Sequence, residues 1–206
     1  MPQGTASATA AEPGNGRGEH FQLLRYSHIF ASAMRDLLEL KVLREATDAP
    51  LTLPQFHLLK LISLNGTHQV GEVAQFLGVS APAATKNIDK LEGLGLVTRR
   101  SSTRDRRATL LASSAKGRRL VRRYDALKEE RLEPVLEGFS KNELAQLTRL
   151  LERFSLRLIG QEDSGEGLCL RCSAYYQDVC PVNHLRDGCP YQKVRDRREG
   201  ELSQTA

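Results

Sequence analysis

The chain has 206 residues, of which 40% are hydrophobic and 27% are charged, an ordinary balance for a protein that folds in water. No apolar run approaches the roughly 18 residues that a membrane span needs. Residues 1–18 are rich in Ala, Gly, Thr and Ser and lack the apolar stretch of a signal peptide. We therefore predict a cytoplasmic protein with no membrane partner, a disordered tail over 1–18 and one main domain over 19–160.

The formal net charge of +5 is unevenly distributed along the chain. Between Ser80 and Arg123 there are 12 Lys and Arg against three acids, a local charge of +9 that leaves −4 for the rest of the chain. A basic block on a nearly neutral body is typical of a protein that binds a polyanion.

The predicted elements begin with a long helix from His20 to Ala46, which contains no Gly or Pro. Its apolar residues step by three and four and form one stripe: Leu23, Tyr26, Phe30, Ala33, Leu37 and Leu40. A capping box of Thr52 and Gln55 opens the next helix, which Asn65-Gly66 ends.

Two short helices follow, over Val70–Leu77 and from Ser80 to about Gly93, with Gly78 in the turn between them. Ser80 is the predicted N-cap of the second helix. The second helix is expected to bury Ala84, Ile88 and Leu91. Two short helices joined by a tight turn that contains Gly indicate a helix-turn-helix.

After Gly95 the pattern changes to two short β-prone runs, Leu96–Thr98 and Ala108–Leu111. The polar, basic segment between them predicts a β-hairpin with a basic tip. We therefore expect a mainly α fold with a small β-hairpin wing, whose DNA-binding core spans 51–117.

Two more helices are predicted beyond the hairpin. Ser114 caps a long helix that reaches about Gly138, and a capping box of Ser140 and Glu143 opens the last one. The last helix has an apolar stripe of its own: Leu144, Leu147, Leu151, Phe154 and Leu158. The winged module is thus flanked by long helices with apolar stripes.

A helix that reads base edges in the major groove needs small or hydrogen-bonding side chains on its outer face. The helical phase places such residues outward, and they are the candidate DNA contacts: Ser80, Pro82, Ala83, Thr85, Lys86 and Lys90. The alternative for this segment is an ordinary surface helix, which leaves the basic hairpin directly after it unexplained.

The hairpin tip fits a minor-groove probe, because narrow minor grooves concentrate negative potential and attract arginine. Arg104, Arg106 and Arg107 are the candidates. Asp105 is an acid among them, and it either pairs with a neighbouring arginine and fixes its direction or simply favours the turn.

At this point the chain resembles the MarR family of regulators. The run Leu77–Arg100 is similar to that family's recognition helix and first wing strand, and Asp105–Leu111 with Ser114–Gly117 resembles its wing signature and next helix start. The resemblance implies that Arg107 enters the minor groove, that Asp105 orients it and that the helix from Ser80 to Lys90 lies in the major groove. It also implies double-stranded DNA as partner, a homodimer with interlocked terminal helices, repression as the commoner mode and an unidentified small-molecule effector.

One departure from the family pattern concerns the start of the recognition helix. Ala81, Pro82 and Ala83 stand where larger polar residues are common in the family. Specificity is therefore expected to depend more on DNA shape and on thymine methyl groups, and the operator sequence does not follow from the residues.

The region 161–206 leaves the family pattern and contains all four cysteines, Cys169, Cys172, Cys180 and Cys189. Four thiolates suffice for a tetrahedral zinc site or for an iron–sulfur cluster. Only one Cys-x-x-Cys pair is present, and Cys180 and Cys189 each precede a proline, which resembles the end of a ferredoxin-type loop. We predict an iron–sulfur cluster, 4Fe–4S, with zinc as the alternative and free or redox-active thiols as a third reading; His184 is an alternative ligand.

The sequence carries no pattern typical of an enzyme. It has no nucleophile elbow, phosphate loop or HExxH, and its five histidines lack metal-ligand spacing. We therefore predict a non-enzymatic transcriptional regulator that responds to redox state, oxygen or iron through the cysteine site. The alternatives are a zinc-stapled regulator that responds to a small molecule, and a winged protein-interaction module that does not bind DNA.

Overall fold

The computed structural model describes residues 16–64, 67–77, 79–101 and 109–161. The helices are α1 (Gly16–Ala33), a π-helical segment (Met34–Leu40), α2 (Lys41–Ala46), α3 (Leu53–Leu64), α4 (Val70–Leu77), α5 (Ala81–Gly93), α6 (Ala115–Leu136) and α7 (Lys141–Ile159). The strands are β1 (Thr67–Gln69), β2 (Val97–Ser101) and β3 (Thr109–Ser113).

The predicted first helix is confirmed, but it begins at Gly16, before the predicted start at His20 and inside the segment predicted as a tail, and it is not a uniform α-helix. No described residue of α1 is buried, and burial begins in and after the π-helical segment, at Leu38, Val42, Leu43 and Ala46. Leu37, which the helical phase placed on the apolar stripe, is 52% exposed. The stripe is present, but the other residues that the structure describes leave most of it exposed.

Side chains of α6 hold the π-helical segment in place. The hydroxyl of Tyr124 donates to the carbonyl of Leu38 over 3.3 Å, and Arg131 donates to the carbonyl of Leu37 over 3.0 Å. Because i→i+5 hydrogen bonding is rare and geometrically poorer than the α pattern, such outside donors help to fix it.

The core forms around α3, in which six residues are buried: Phe56, His57, Leu58, Leu59, Leu61 and Ile62. The ring centroid of Phe56 lies 4.2 Å from that of Tyr124, so α6 packs directly on α3. From the other side Ile88 of α5 and Leu111 of β3 complete the same cluster, each fully buried. The helix-turn-helix and the sheet therefore share one core with the long helices.

The sheet has the order β1-β3-β2 with both pairings antiparallel. The hairpin strands are confirmed, but each extends further at its carboxyl end than predicted, to Ser101 in β2 and to Ser113 in β3. The strand β1 was not predicted; it pairs with β3 in the register Thr67 to Ala112 and Gln69 to Leu110.

The last two helices begin as predicted. The side chain of Ser114 accepts from the amide of Gly117, and Ser140 and Glu143 form the full capping box. None of the residues of α7 is buried, so the described residues do not cover its apolar stripe either. Within the described ranges, no helix combines the length and apolarity that a membrane crossing requires.

Candidate nucleic-acid interface

One face of the helix α5 packs into the core, and the opposite face is exposed. Ala84, Ile88 and Leu91 are each fully buried, as predicted from their spacing. The predicted outer residues Ser80, Pro82, Ala83, Lys86 and Lys90 are all exposed, and so is Ala81. The structure thus brings these predicted contacts together along one side of α5.

Ser80 occupies the N-cap position of α5, with φ −62° and ψ 151°, but its side chain makes no capping hydrogen bond. The predicted side-chain cap is therefore wrong. A capping hydroxyl bonds the amide of the second or third helical residue, and the second one here is Pro82, which has no N–H. The Ser80 hydroxyl is left on the exposed end of α5, where a ligand can reach it.

Three of the predicted contacts, which follow the first turn of α5, differ in how far their side chains project from the helix. Thr85 is half-buried, and its hydroxyl donates to the carbonyl of Ala81 over 2.9 Å, which leaves its methyl as the free contact group. Lys86 and Lys90 are exposed, and neither forms an ion pair with another residue in the described ranges. Two unneutralised ammonium groups, one turn apart, therefore lie on the outer face.

An ion-pair bridge between α5 and the wing was not predicted. The guanidinium of Arg99 on β2 pairs with Asp89 and, over 3.0 Å, with Glu92. The sequence did contain a signal for this bridge. Two acids stand three residues apart on a helix, and a basic strand follows that helix after a tight turn. This bridge contacts both acids of α5, offsets part of their negative charge and fixes the direction of β2 relative to the helix.

The carboxyl end of α5 is tied to the start of α6. Gly95 adopts φ 69° in the turn that follows the helix, a conformation that favours glycine. The hydroxyl of Ser114 donates to its carbonyl over 2.7 Å, and the ammonium of Lys116 donates to the carbonyl of Leu94 over 2.9 Å. Lys116 thus helps to position α5. From the sequence it was identified only as part of the segment Ser114–Gly117 that resembles the family.

The opening of α3 also contacts α5. The predicted capping box is present, with the amide of Thr52 donating to Gln55 over 3.1 Å. The side chain of Gln55 donates to Asn87 over 3.4 Å, and Asn87 donates to the carbonyl of Ala83 over 3.2 Å. The first turns of α3 and α5 therefore meet at the same exposed surface.

The predicted wing-tip residues Arg104, Asp105, Arg106 and Arg107 lie outside the described residues. The strands that carry the tip are described up to the pair of Ser101 with Thr109.

A group of titratable side chains lies between α3, α6 and the π-helical segment. The imidazole of His57 is 3.9 Å from the carboxylate of Glu39, and Lys60 pairs with Asp125 over 2.6 Å. Burial is the main cause that lowers the pKa of Lys128, which lies in the same group. These contacts join the helix under the candidate interface to the long helices.

Further pKa shifts mark two places away from the interface. Burial, followed by the charges of Glu39 and Asp125, raises the pKa of Tyr124. The pKa of Glu45 is lowered, chiefly by its hydrogen bonds from Arg131. Neither group faces α5, so we assign both to the joint between α6 and the first helices.

No group of three or more potential metal ligands occurs among the residues that the structure describes. The predicted ligands Cys169, Cys172, Cys180, Cys189 and His184 lie outside those residues, so the cysteine site remains a prediction from sequence.

Solved structures share this fold over nearly their whole length. The RV1404 protein of Mycobacterium tuberculosis is 24% identical with a TM-score of 0.56, and the match covers 76% of this chain and 100% of that one. A MarR family protein from Bacillus stearothermophilus is 27% identical with a TM-score of 0.52, covering 72% and 99%. FabT of Streptococcus pneumoniae, solved in complex with DNA, is 19% identical with a TM-score of 0.52, covering 71% and 98%.

The match by sequence falls on the part of the chain that forms the candidate interface. It begins at the turn before α3 and ends at the first residue of β3, so it includes α4, α5 and β2. The mainly helical architecture with a three-stranded antiparallel sheet is the winged helix-turn-helix fold, and residues 51–109 match the model of the MarR family.

Proposed function

We propose that this chain is a sequence-specific DNA-binding transcriptional regulator that acts as a homodimer, with repression as its mode. The observation that carries the proposal is the outer face of α5, where small side chains at the start of the helix are followed by the unpaired ammonium groups of Lys86 and Lys90. Small residues allow a helix to approach base edges closely, and lysines reach guanine or phosphate. The DNA complex of a protein with the same fold adds support.

The test is a gel-shift titration on the DNA upstream of the protein's own gene, at two salt concentrations. Each lost phosphate contact lowers the slope of log affinity against log salt by about 0.9. We expect the double variant Lys86→Ala/Lys90→Ala to bind more weakly and with a shallower slope. The matched control Arg25→Ala/Lys141→Ala removes two exposed charges from α1 and α7 and should bind as the parent does.

Two outcomes would contradict the proposal. If the parent shows no salt-dependent affinity for its upstream DNA, the winged fold serves protein interaction and not DNA binding. If both double variants weaken binding equally, the lysines of α5 act only through net charge. A reporter gene driven by the same upstream DNA tests repression, which predicts higher expression when the protein is absent.

The wing tip is part of the same proposal. Arg107 enters the minor groove and Asp105 orients it, with Arg104 and Arg106 close to phosphates. An arginine held in a narrow groove should lose more affinity on Arg107→Ala than a phosphate contact loses on Arg104→Ala. Asp105→Ala should weaken binding although it removes a negative charge; tighter binding would show that the acid only favours the turn.

Homodimer formation is supported by apolar surface that the described residues leave uncovered. On α1 the exposed apolar side chains include Phe21, Leu24 and Tyr26, the last being 64% exposed. On α7 they include Leu150 and Leu158, at 54% and 61%. Contiguous apolar surface of this kind marks an interaction site. Sedimentation equilibrium should give a dimer, and a monomer at all concentrations would contradict this part of the proposal.

We further propose that Cys169, Cys172, Cys180 and Cys189 bind a 4Fe–4S cluster and that occupancy of this site changes DNA affinity. The support is the spacing of the cysteines and the proline after two of them. Anaerobic purification with absorbance spectroscopy and metal analysis is the test. A colourless protein with one zinc per chain would remove the redox response and leave a zinc-stapled regulator.

A further inference from the structure

The outer face of α6 changes its charge along the helix. Its first half carries Arg119 and Arg122, both exposed. Its second half carries three exposed glutamates at four-residue spacing, which form the acidic row: Glu129, Glu133 and Glu137. Residues four apart lie on the same side of a helix, so the acidic row is a continuous stripe. It lies opposite the face that buries Leu120 and Tyr124 in the core.

The helix α7 carries a row of the opposite sign. Three exposed arginines at the same spacing form the arginine row: Arg149, Arg153 and Arg157. By helical phase the row runs beside the exposed apolar stripe of α7, next to Leu150 and Phe154. A cationic edge along an apolar seam is the arrangement in which charges select the partner helix.

The end of α6 also offers an apolar seam beside its charges. Leu136 is 40% exposed, and Val135 and Phe139 near it are 57% and 46% exposed. In both charge rows the first and last side chains are eight residue steps apart, so each row is about 12 Å long at 1.5 Å per step. The two surfaces therefore match in length and in apolar character, and they are opposite in charge.

The rows do not meet within one chain. None of the six side chains forms an ion pair with any residue in the described ranges. The helix α7 leaves α6 after a short turn and buries none of its residues, so it does not pack back along its own α6. Within the part of the chain that the structure describes, both rows are therefore open to a partner of opposite charge.

We propose that the acidic row of one protomer faces the arginine row of a second copy, with the apolar seams packed between them. Two-fold symmetry makes the contact twice, because an isologous interface uses the same patches on both chains. The inference rests on the homodimer in the proposed function and names the surface that sets the register of its helices. Opposite charges beside an apolar seam add specificity for the correct partner more than affinity.

The experiment uses two full-length charge-reversal variants. The first reverses the acidic row, and its substitutions are Glu129→Arg, Glu133→Arg and Glu137→Arg. The second reverses the arginine row, and its substitutions are Arg149→Glu, Arg153→Glu and Arg157→Glu. Each variant alone places like charges at both contacts of its homodimer, and we expect its dimer dissociation constant to rise on the order of tenfold or more.

Mixing the two variants in equal amounts is the decisive measurement. In the mixed dimer one contact keeps its native charges and the other has both signs reversed, so both contacts are attractive. We expect the mixture to form heterodimers with nearly the parent's affinity in sedimentation velocity. The control Arg119→Glu/Arg122→Glu reverses charge on the first half of α6 and should leave the dimer unchanged. Circular dichroism on each variant confirms that the helices are intact.

Three outcomes would overturn the inference. The first is a mixture that dimerises no better than either variant alone. The second is recovery only in a single chain that carries all six reversals, since that would place the contact within one chain. The third is unchanged dimers with weaker DNA binding of the arginine-row variant, since that row would then face DNA. A parent protein that is monomeric would instead contradict the homodimer of the proposed function, which is a different failure from that of this inference.

Discussion

Arg99 on β2 pairs with Asp89 on α5, and the same guanidinium reaches Glu92 one turn further along the helix. The strand that leads to the wing tip is thus linked to the helix that presents the candidate base contacts. Because the two acids lie on the helix that we propose faces DNA, leaving them unpaired would repel phosphate. The bridge therefore has an electrostatic role as well as a geometric one.

Replacing Arg99 should affect recognition more than stability. Arg99→Gln removes two partly exposed ion pairs, each worth at most about 1 kcal/mol of unfolding free energy. It also leaves two unpaired acids on α5, so the affinity for the specific site should fall several-fold. Fluorescence anisotropy with specific and with random DNA gives the two affinities, and their ratio measures the specificity.

The control for this prediction is the neighbouring Arg100→Gln. Arg100 is exposed and has no ion pair within the described part of the chain. If it contacts phosphate, its loss lowers affinity for both DNAs alike. Equal losses of specificity in the two variants would refute the positioning role of Arg99.

Gly117 should not tolerate even a methyl group. It lies in the first turn of α6, where an added Cβ would clash with the backbone carbonyl of Leu96 and lie 3.0 Å from the Leu59 side chain. That carbonyl already accepts a hydrogen bond from the amide of Ser114, so it cannot move away freely. We expect Gly117→Ala to lower the free energy of unfolding by about 1–3 kcal/mol or more.

Urea unfolding of Gly117→Ala and Gly71→Ala tests this reasoning. An added Cβ at Gly71, in α4, meets nothing within 4 Å. That substitution should raise stability by up to about 1 kcal/mol, because Ala is the better helix former. A stable Gly117→Ala protein would show that α6 and the turn after α5 can separate without cost.

The parts of the fold that the sequence predicted best are those set by local chemistry. The capping boxes at Thr52 and Ser140 and the inward spacing of Ala84, Ile88 and Leu91 appear in the structure as expected. These features depend on neighbours within a few residues, so the pattern contains the needed information. The same is true of the hairpin strands, whose residues are β-prone and directly joined.

The parts that were missed depend on distant contacts. The strand β1 has three residues and exists because β3, more than 40 residues later, offers an unpaired edge. The π-helical segment is held by Tyr124 and Arg131, which no pattern near Leu37 reveals. The Arg99 bridge likewise needs the turn geometry that only the folded chain provides.

The capping box of α7 gives a third prediction. Ser140→Ala removes a hydroxyl that accepts from the amide of Glu143, and loss of such a cap costs about 1 kcal/mol. Ser155→Ala, at an exposed position within the same helix, should change stability by only a few tenths of a kcal/mol. Thermal unfolding at one fixed protein concentration compares them, because the proposed dimer would also contribute to the midpoint. Equal effects of the two substitutions would show that the first turn of α7 does not contribute to stability.

The pair of Glu45 with Arg131 predicts a pH dependence of stability with a definite sign. Arg131 donates to both carboxylate oxygens of Glu45, over 2.8 and 2.7 Å, and these bonds lower its pKa in the folded state. A carboxyl whose folded pKa lies below its unfolded value stabilises the protein above the unfolded pKa. That contribution is lost as the pH falls through the folded pKa.

We therefore expect the parent to melt at a higher temperature than Glu45→Gln at neutral pH. The gap should narrow as the pH drops below about 4.3, the ordinary value for a glutamate. Asp48→Asn is the control, because Asp48 is exposed and has no ion pair with a described residue. Its melting temperature should follow the parent's at every pH. A gap for Glu45→Gln that stays constant down to low pH would mean that the ionised carboxylate contributes nothing to stability. Arg131 would then act through its hydrogen bond to Leu37 in the π-helical segment.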